Sequence, residues 1–407
     1  MRILQIGATF VGAQKKIEYA IHRYVLEKGH DSTILYAIGE SNEQGIVCYE
    51  NKFENLIRRG LRKVVGKKPQ FAILSTLKAI RFIKRCNPDL VNIHTIHHGY
   101  LDYEMLLKYL AKRQNPVVFT VHDMWPFTGG CYYYTKENCD GWEFGCKNCP
   151  ANRNRLDNSP QKTSEYYELK KNLFSDFSNI HFVTVSEWVA SEMRKSFLQN
   201  HPISVIENGM DLFEASGIDA DNQIAERYKD RKKLLSVAAA WDERKGLYRI
   251  FEMAKILGET YVFFLVGGIS DELKRVAPSN IVFLGYVRNQ EKLAWLYSFV
   301  DLYVSASVEE TFGMTFIEAA FCGTKSIGFN SSAIAETVKG VLGYLVNDID
   351  SNDMATRIVE IFAGEETKLS AVDINKIVQR YSSSTMAEKY YELYLDLLST
   401  KGENREK

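Results

Sequence analysis

Short apolar runs alternate with helical stripes along most of the chain. Arg2–Ile6 predicts a first strand. Ile17, Ala20, Ile21, Tyr24 and Val25 follow at i, i+3, i+4, i+7 and i+8, the stripe of a helix laid on a sheet. Further strands are predicted over residues 33–36, 90–94, 117–121, 181–185 and 203–206, with Asn208-Gly209 as a turn after the last. Strands separated by helical sequence indicate a parallel sheet wrapped by helices. Residues 217–233 are charged and nearly free of apolar periodicity, which predicts a linker. A second alternation follows, with strands over 234–240, 261–266, 281–283, 302–304 and 325–328. Residues 382–384 can cap a last helix, whose apolar face is Met386, Tyr390, Leu393, Tyr394, Leu397 and Leu398.

Length agrees with that pattern, because 407 residues exceed what one hydrophobic core usually serves and favour two domains. The composition, 45% hydrophobic and 25% charged, is that of an ordinary globular protein. No apolar run approaches the roughly 20 residues that span a bilayer, and the start lacks the layout of a signal peptide. A cytoplasmic protein is the expectation. Net charge is zero, so no global field favours nucleic acid as a partner. Locally the balance differs, since eleven basic residues lie over 52–85 against Glu54 alone. Leu56, Ile57, Leu61, Val64 and Val65 interleave with them, so this segment is either a solvated helix face or one that rests on anionic lipid.

Four groups of residues carry candidate chemistry. Gly12 follows the first strand and lets backbone approach a ligand phosphate at a helix N-terminus, although no G-x-G-x-x-G is present to indicate a dinucleotide. Arg244 and Lys245 follow the strand over 234–240, where parallel sheets bind ligands, and suit a departing diphosphate. Glu310 and Glu318 would stand about 12 Å apart on one continuous helix, too far to share a small ligand. If Gly313 opens the helix instead, the amides of Met314, Thr315 and Phe316 face a diphosphate, and both carboxylates accept from sugar hydroxyls. Cys131, Cys139, Cys146 and Cys149, spaced x7, x6 and x2, have the pattern of a structural zinc knuckle or of reduced thiols. Seven cysteines, an odd number, argue against a disulfide framework.

Lys245-Gly246, Gly267, Phe283-Leu284-Gly285-Tyr286 and Glu310-x7-Glu318 with Phe312-Gly313 resemble glycosyltransferase family 4 in order and spacing. Gly12-Ala13-Gln14-Lys15, His94, Thr120-Val121-His122-Asp123, Val185-Ser186-Glu187 and Asn208-Gly209-Met210-Asp211 extend the resemblance over nearly the whole chain. Thr128-Gly129-Gly130-Cys131 with the later cysteines is similar to bacterial exopolysaccharide and capsule transferases of the colanic-acid type. The resemblance implies the α/β GT-B architecture: two Rossmann-like, doubly wound domains facing a central cleft, with the C-terminal helix crossing back to the first domain. Expected boundaries are 1–211 for the acceptor domain with its cysteine-rich loop at 128–150, 212–385 for the donor domain, and 386–407 for the last helix.

By position, Lys245 would bind the donor diphosphate, Glu318 the ribose and Glu310 the transferred sugar. His122 would sit beside that sugar, and Gly285, Tyr286 and Val287 would meet the nucleobase. His94, Asp123 and Asn208 would line the acceptor side; His97 and His98, which follow a strand, either line that cleft with them or, as is expected of loop histidines, face solvent. Ala238-Ala239 replaces the family's Gly-Arg pair, which leaves Arg244 as the second cation. The implied activity moves a hexose from UDP- or GDP-sugar to a lipid-linked saccharide in surface-polysaccharide synthesis, with retention. It needs no cofactor for catalysis, and its basic segment would rest on the membrane's inner face. Alternatives are an epimerase or phosphorylase on the same fold, or a non-catalytic nucleotide-binding subunit.

Overall fold

Parallel strands covered by helices on both faces are apolar along their whole length, because neither face meets water. Val117–Val121 shows this, with every residue buried. The computed structural model describes residues 1–8, 12–37, 41–49, 72–97, 99–150, 163–211 and 222–403. Within them β1 (Arg2–Ile6), β2 (Asp31–Tyr36), β3 (Ile46–Cys48), β4 (Leu90–Ile93), β5 (Val117–Val121), β6 (Ile180–Thr184) and β7 (Ile203–Val205) form one sheet in the order β3-β2-β1-β4-β5-β6-β7. The strands β8 (Lys232–Ala240), β9 (Tyr261–Gly268), β10 (Ile281–Gly285), β11 (Leu302–Val304), β12 (Ser326–Phe329) and β13 (Gly343–Val346) form another, ordered β10-β9-β8-β11-β12-β13. All pairings in both are parallel. Strand order reverses between β1 and β4 in the first sheet and between β8 and β11 in the second. Ligands of open parallel sheets bind at the carboxyl ends of strands, at such switch points.

The chain divides into two compact units, Met1–Met210 with Ser383–Lys407 and Asp211–Ser382. The terminal helix Ser383–Glu403 therefore belongs to the first unit, although it comes last in sequence. Its Met386, Ala387, Tyr390 and Tyr394 bury against Ile17, Ile21 and Val25 of the helix Gly12–Glu27 and against Ile3, Leu90 and Val118 of the sheet. Polar bonds sharpen this packing. The Tyr394 hydroxyl accepts from Asn92 Nδ2 at 2.7 Å, the Tyr390 hydroxyl donates to Thr120 Oγ1 at 3.2 Å, and Thr120 donates to Asn92 Oδ1 at 3.0 Å.

Two features depart from the sequence reading. The expected linker over 217–233 carries the helix Asn222–Arg227, and β8 already begins at Lys232. Ile224 and Tyr228 explain the difference, because they pack on the second unit's core, with Tyr228 edge-on to Phe264 at 5.4 Å. The edge strands β3 and β13, of three and four residues, were not predicted. Among the described residues no helix is long and apolar enough to cross a membrane.

Candidate functional site

At the second unit's switch point, the loops after β8 and β11 are locked together. Val308 N–H donates to Arg244 C=O at 3.0 Å. Gly246, at φ +72°, passes so near the other loop that a Cβ would stand 2.2 Å from Ala306 O. Only glycine fits there, both for the left-handed backbone and for the contact. This crossing brings Lys245 Nζ to 2.5 Å from Glu310 Oε1, with Arg244 Nη1 3.8 Å from Glu310 Oε2 and 2.9 Å from Glu309 O. Burial drives the Glu310 carboxyl upward in pKa, but Lys245 and Arg244 outweigh it and hold the group below its ordinary value. The Glu310 backbone is fixed from the next helix, Ser332–Val338, whose Ser332 hydroxyl accepts from Glu310 N–H at 3.0 Å.

The helix Met314–Phe321 opens at Gly313, as predicted, with φ +90°. Phe316 N–H bonds back to Gly313 O at 3.0 Å, which leaves the Met314 and Thr315 amides as the ones to face an anion. Glu318 lies one turn in and accepts from Tyr297 at 2.8 Å, a partner that sequence reasoning missed. Tyr303 links the two carboxylates. Its hydroxyl is pushed far up by burial, against the lowering effect of a hydrogen bond with Thr315, and Glu310 and Glu318 both add to the rise, so both lie within electrostatic reach of one phenol. The small depression here is lined by Trp241, Lys245, Tyr303, Glu310 and Thr315. Ala238 is buried and Ala239 exposed, so Arg244 and Lys245 are the cations that converge on Glu310. Gly285, at φ +64°, ends β10, and the largely exposed Tyr286 lies over Gly268, where a Cβ would meet its hydroxyl at 2.5 Å.

The first unit builds a different site at its own switch point. His94 follows β4 and His122 follows β5, and His94 Nδ1 lies 3.1 Å from His122 Nε2. His94 Nε2 lies 3.0 Å from Oε1 of Gln5, near the carboxyl end of β1. Burial lowers both rings, His94 far below its ordinary value and His122 to about 4, so both are neutral at physiological pH. His97 is a correction, being buried where exposure was expected. Its Nε2 stands 3.0 Å from Asp123 Oδ2 and its ring stacks on Trp125 at 4.8 Å, apolar cover that a loop histidine reads as solvent-facing without. Asp123 also accepts from Trp125 N–H at 3.0 Å. Asn208 is buried beyond β7, with Oδ1 lacking a partner among the described residues. Gly12 opens the helix Gly12–Glu27, and His98 lies outside the described residues.

The four cysteines of the 128–150 loop are not in disulfides. Among the described residues no group of three or more His, Cys, Asp or Glu could hold a metal ion, so the side chains as placed do not fit the zinc expectation. Cys146 is engaged otherwise: its sulfur accepts from Gly129 N–H at 3.0 Å, and burial pushes its thiol up to about 11.

Residues 19–213 match the model described as Glycosyltransferase Family 4, and residues 231–363 that described as Glycosyl transferases group 1. The chain is 22% identical to a protein of Escherichia coli K12 described as "Putative colanic acid biosynthesis glycosyl transferase WcaC", over 98% of this chain and all of that one. Sucrose-phosphate synthase from Thermosynechococcus elongatus is similar in structure, with a TM-score of 0.73 at 16% identity over 98% of this chain and 100% of that one. So is Anabaena HepE in complex with UDP-glucose, with a TM-score of 0.64 at 16% identity over 97% and 100%. These two likenesses concern the fold.

Proposed function

We propose that this chain, whose first part matches the Family 4 and second part the group 1 glycosyltransferase model, transfers a hexose from a UDP- or GDP-sugar, with retention, to a lipid-linked saccharide in surface-polysaccharide synthesis. The observation that carries the donor assignment is the convergence of Lys245 and Arg244 on Glu310 beside the helix opening at Gly313.

In this reading the diphosphate takes over the cations that Glu310 now neutralises. Lys245 and Arg244 stabilise the charge that grows on the leaving group, and the Met314 and Thr315 amides add the positive end of the helix. Glu310, released from part of its pairing, accepts from hydroxyls of the transferred sugar, while Glu318, oriented by Tyr297, takes the ribose diol. Tyr286 and Gly285 face the nucleobase. Retention follows if the acceptor oxygen attacks the face the diphosphate leaves, the diphosphate accepting the acceptor's proton, so that no protein base is needed. Similarity to the colanic-acid protein and the UDP-glucose complex of HepE support the polysaccharide setting and the nucleotide class.

Membrane contact is part of the proposal. Most of the basic segment 52–85 lies outside the described residues, but the helix Ile73–Cys86 presents Lys78, Arg81, Lys84 and Arg85 to solvent together with Ile73 and Leu74. Those are the charges and apolar groups an anionic bilayer surface takes up.

The test is a panel of UDP- and GDP-sugars screened by thermal shift, followed by transfer assays on the wild type and on Lys245→Ala and Glu310→Gln. A donor that stabilises the wild type, with transfer lost in both variants, is the expected result. Transfer undiminished in either variant would remove the proposed site. Donor binding with no transfer to any saccharide acceptor would favour a non-catalytic subunit.

A further inference from the structure

A chain of hydrogen bonds beneath the first unit's switch point can be followed proton by proton. Gln5 is fully buried in β1, between apolar neighbours. Its Nε2 lies 2.8 Å from the backbone oxygen of Glu18, on the helix Gly12–Glu27. A carbonyl oxygen only accepts, so the amide nitrogen must face it and Oε1 must face His94. An amide oxygen also only accepts, so His94 Nε2 carries a proton. His94 is neutral, so its one ring proton is then spent and Nδ1 is a lone pair. That lone pair is 3.1 Å from His122 Nε2, which must therefore be the donor. His122 is neutral as well, despite the raising influence of Asp123 and with the lowering influence of His97, so its Nδ1 is left as a lone pair. The ring is half-buried and stands at the carboxyl end of β5, beside the β1–β4 reversal.

We propose that Gln5 and His94 are positioning residues that hold His122 in the Nε2–H tautomer, so that this switch point presents a hydrogen-bond acceptor selective for a neutral saccharide hydroxyl over an ionised oxygen. A hydroxyl fills the lone pair with its own hydrogen. A carboxylate or phosphate oxygen has none to give and meets the ring lone pair to lone pair, in a place where burial disfavours the imidazolium that would rescue it. Leaving such an acceptor unfilled lowers binding by about tenfold to a hundredfold. The saccharide as ligand rests on the glycosyltransferase reading; the tautomer does not.

The two parts separate in one set of measurements on the full chain labelled with ¹⁵N-histidine. Long-range ¹H–¹⁵N spectra distinguish protonated from bare ring nitrogens, and His122→Gln assigns the resonances. The expected result is Nε2–H for both His94 and His122, unchanged down to pH 5.5, with Gln5→Leu releasing His94 and giving a mixture of tautomers. A wild-type His122 protonated at Nδ1 overturns the relay, whatever the variant does, and so does an unaltered spectrum in a folded Gln5→Leu chain. The ligand is probed with UDP-glucose and UDP-glucuronate, with the other neutral and uronate pairs of the UDP- and GDP-sugars, and with methyl glucoside and methyl glucuronide. The pair that moves the His122 resonance assigns the hydroxyl to a nucleotide-sugar or to an acceptor, and its neutral member should bind at least tenfold tighter. Equal or tighter binding of the uronate overturns the selectivity. If no nucleotide-sugar binds or is turned over, the glycosyltransferase reading fails while the spectra still judge the relay.

Discussion

In the first unit the gap between β1 and β4 is topped by Gln5, His94 and His122, and no ionised group takes part in their bonds. In the second unit the gap between β8 and β11 is topped by Arg244, Lys245 and Glu310, all charged and all in contact. The two sheets share their connectivity logic, so the backbone does not account for the contrast. What differs is how each site meets the cost of burial. The histidines meet it by giving up charge, because burial outweighs the one raising influence, that of Asp123 on His122. Glu310 meets it by keeping its charge and drawing in two cations, which reverses the direction of its shift. A site of the first kind is suited to reading hydroxyls, and one of the second kind to exchanging a carboxylate for a diphosphate.

The largest test of that contrast falls on the charged site. Lys245→Ala should lower kcat by about 10²–10³-fold on the best donor, the scale of losing one electrostatic contact in a transition state. Glu310→Gln should show a comparable loss while keeping diphosphate affinity, since the cations remain; steady-state kinetics with competition by UDP or GDP checks both. The next effect belongs to the neutral unit. Glu18, fully buried against Gly7 and with no hydrogen-bond partner for its carboxyl among the described residues, has its pKa raised from 4.5 to about 8 by burial. The native state thus keeps a proton that the unfolded chain loses above pH 4.5, so stability should fall as pH rises from about 4.5 to 8. Glu18→Gln should flatten that slope and be more stable near pH 8 by a few kcal/mol, read from urea midpoints across the range. Tyr394→Phe should cost about 1 kcal/mol, mostly through the Asn92 amide left short of a partner, and show in the same titrations. Smallest is the response to salt: nucleotide affinity at the charged site should weaken severalfold between low and physiological ionic strength, while the His122 resonance stays put.

The sequence exposes these two sites unequally. Lys245, Glu310, Gly313 and Glu318 stand out because strand, turn and helix signals place them at strand ends, and their spacing has a resemblance to lean on. Their supports do not. Tyr297 lies in an ordinary helical stripe, and nothing local says that its hydroxyl reaches Glu318. His94 and His122 are visible as histidines after strands, but Gln5 passes unnoticed inside an apolar run. The signal that could have found it is chemical: a parallel strand buried on both faces has no place for an unpaired amide, so Gln5 in β1, like Asn92 in β4, must have a partner across the sheet. His97 was misjudged for the opposite reason, because its cover comes from Trp125 and Tyr132 far along the chain.

The terminal helix gives the first unit a history as well as a structure. Ile3, Ile17, Ile21, Leu90 and Val118 are made early, yet the residues that cover them, Met386, Ala387, Tyr390 and Tyr394, leave the ribosome only after the entire second unit. Until then this unit displays an apolar face and the uncapped amide of Asn92. The second unit is contiguous from Asp211 to Ser382, and its core clusters draw on residues of that stretch, so it can fold while the first still waits. The half synthesised first is therefore completed last, and chaperone dependence during synthesis should belong to it rather than to the unit that carries the cations.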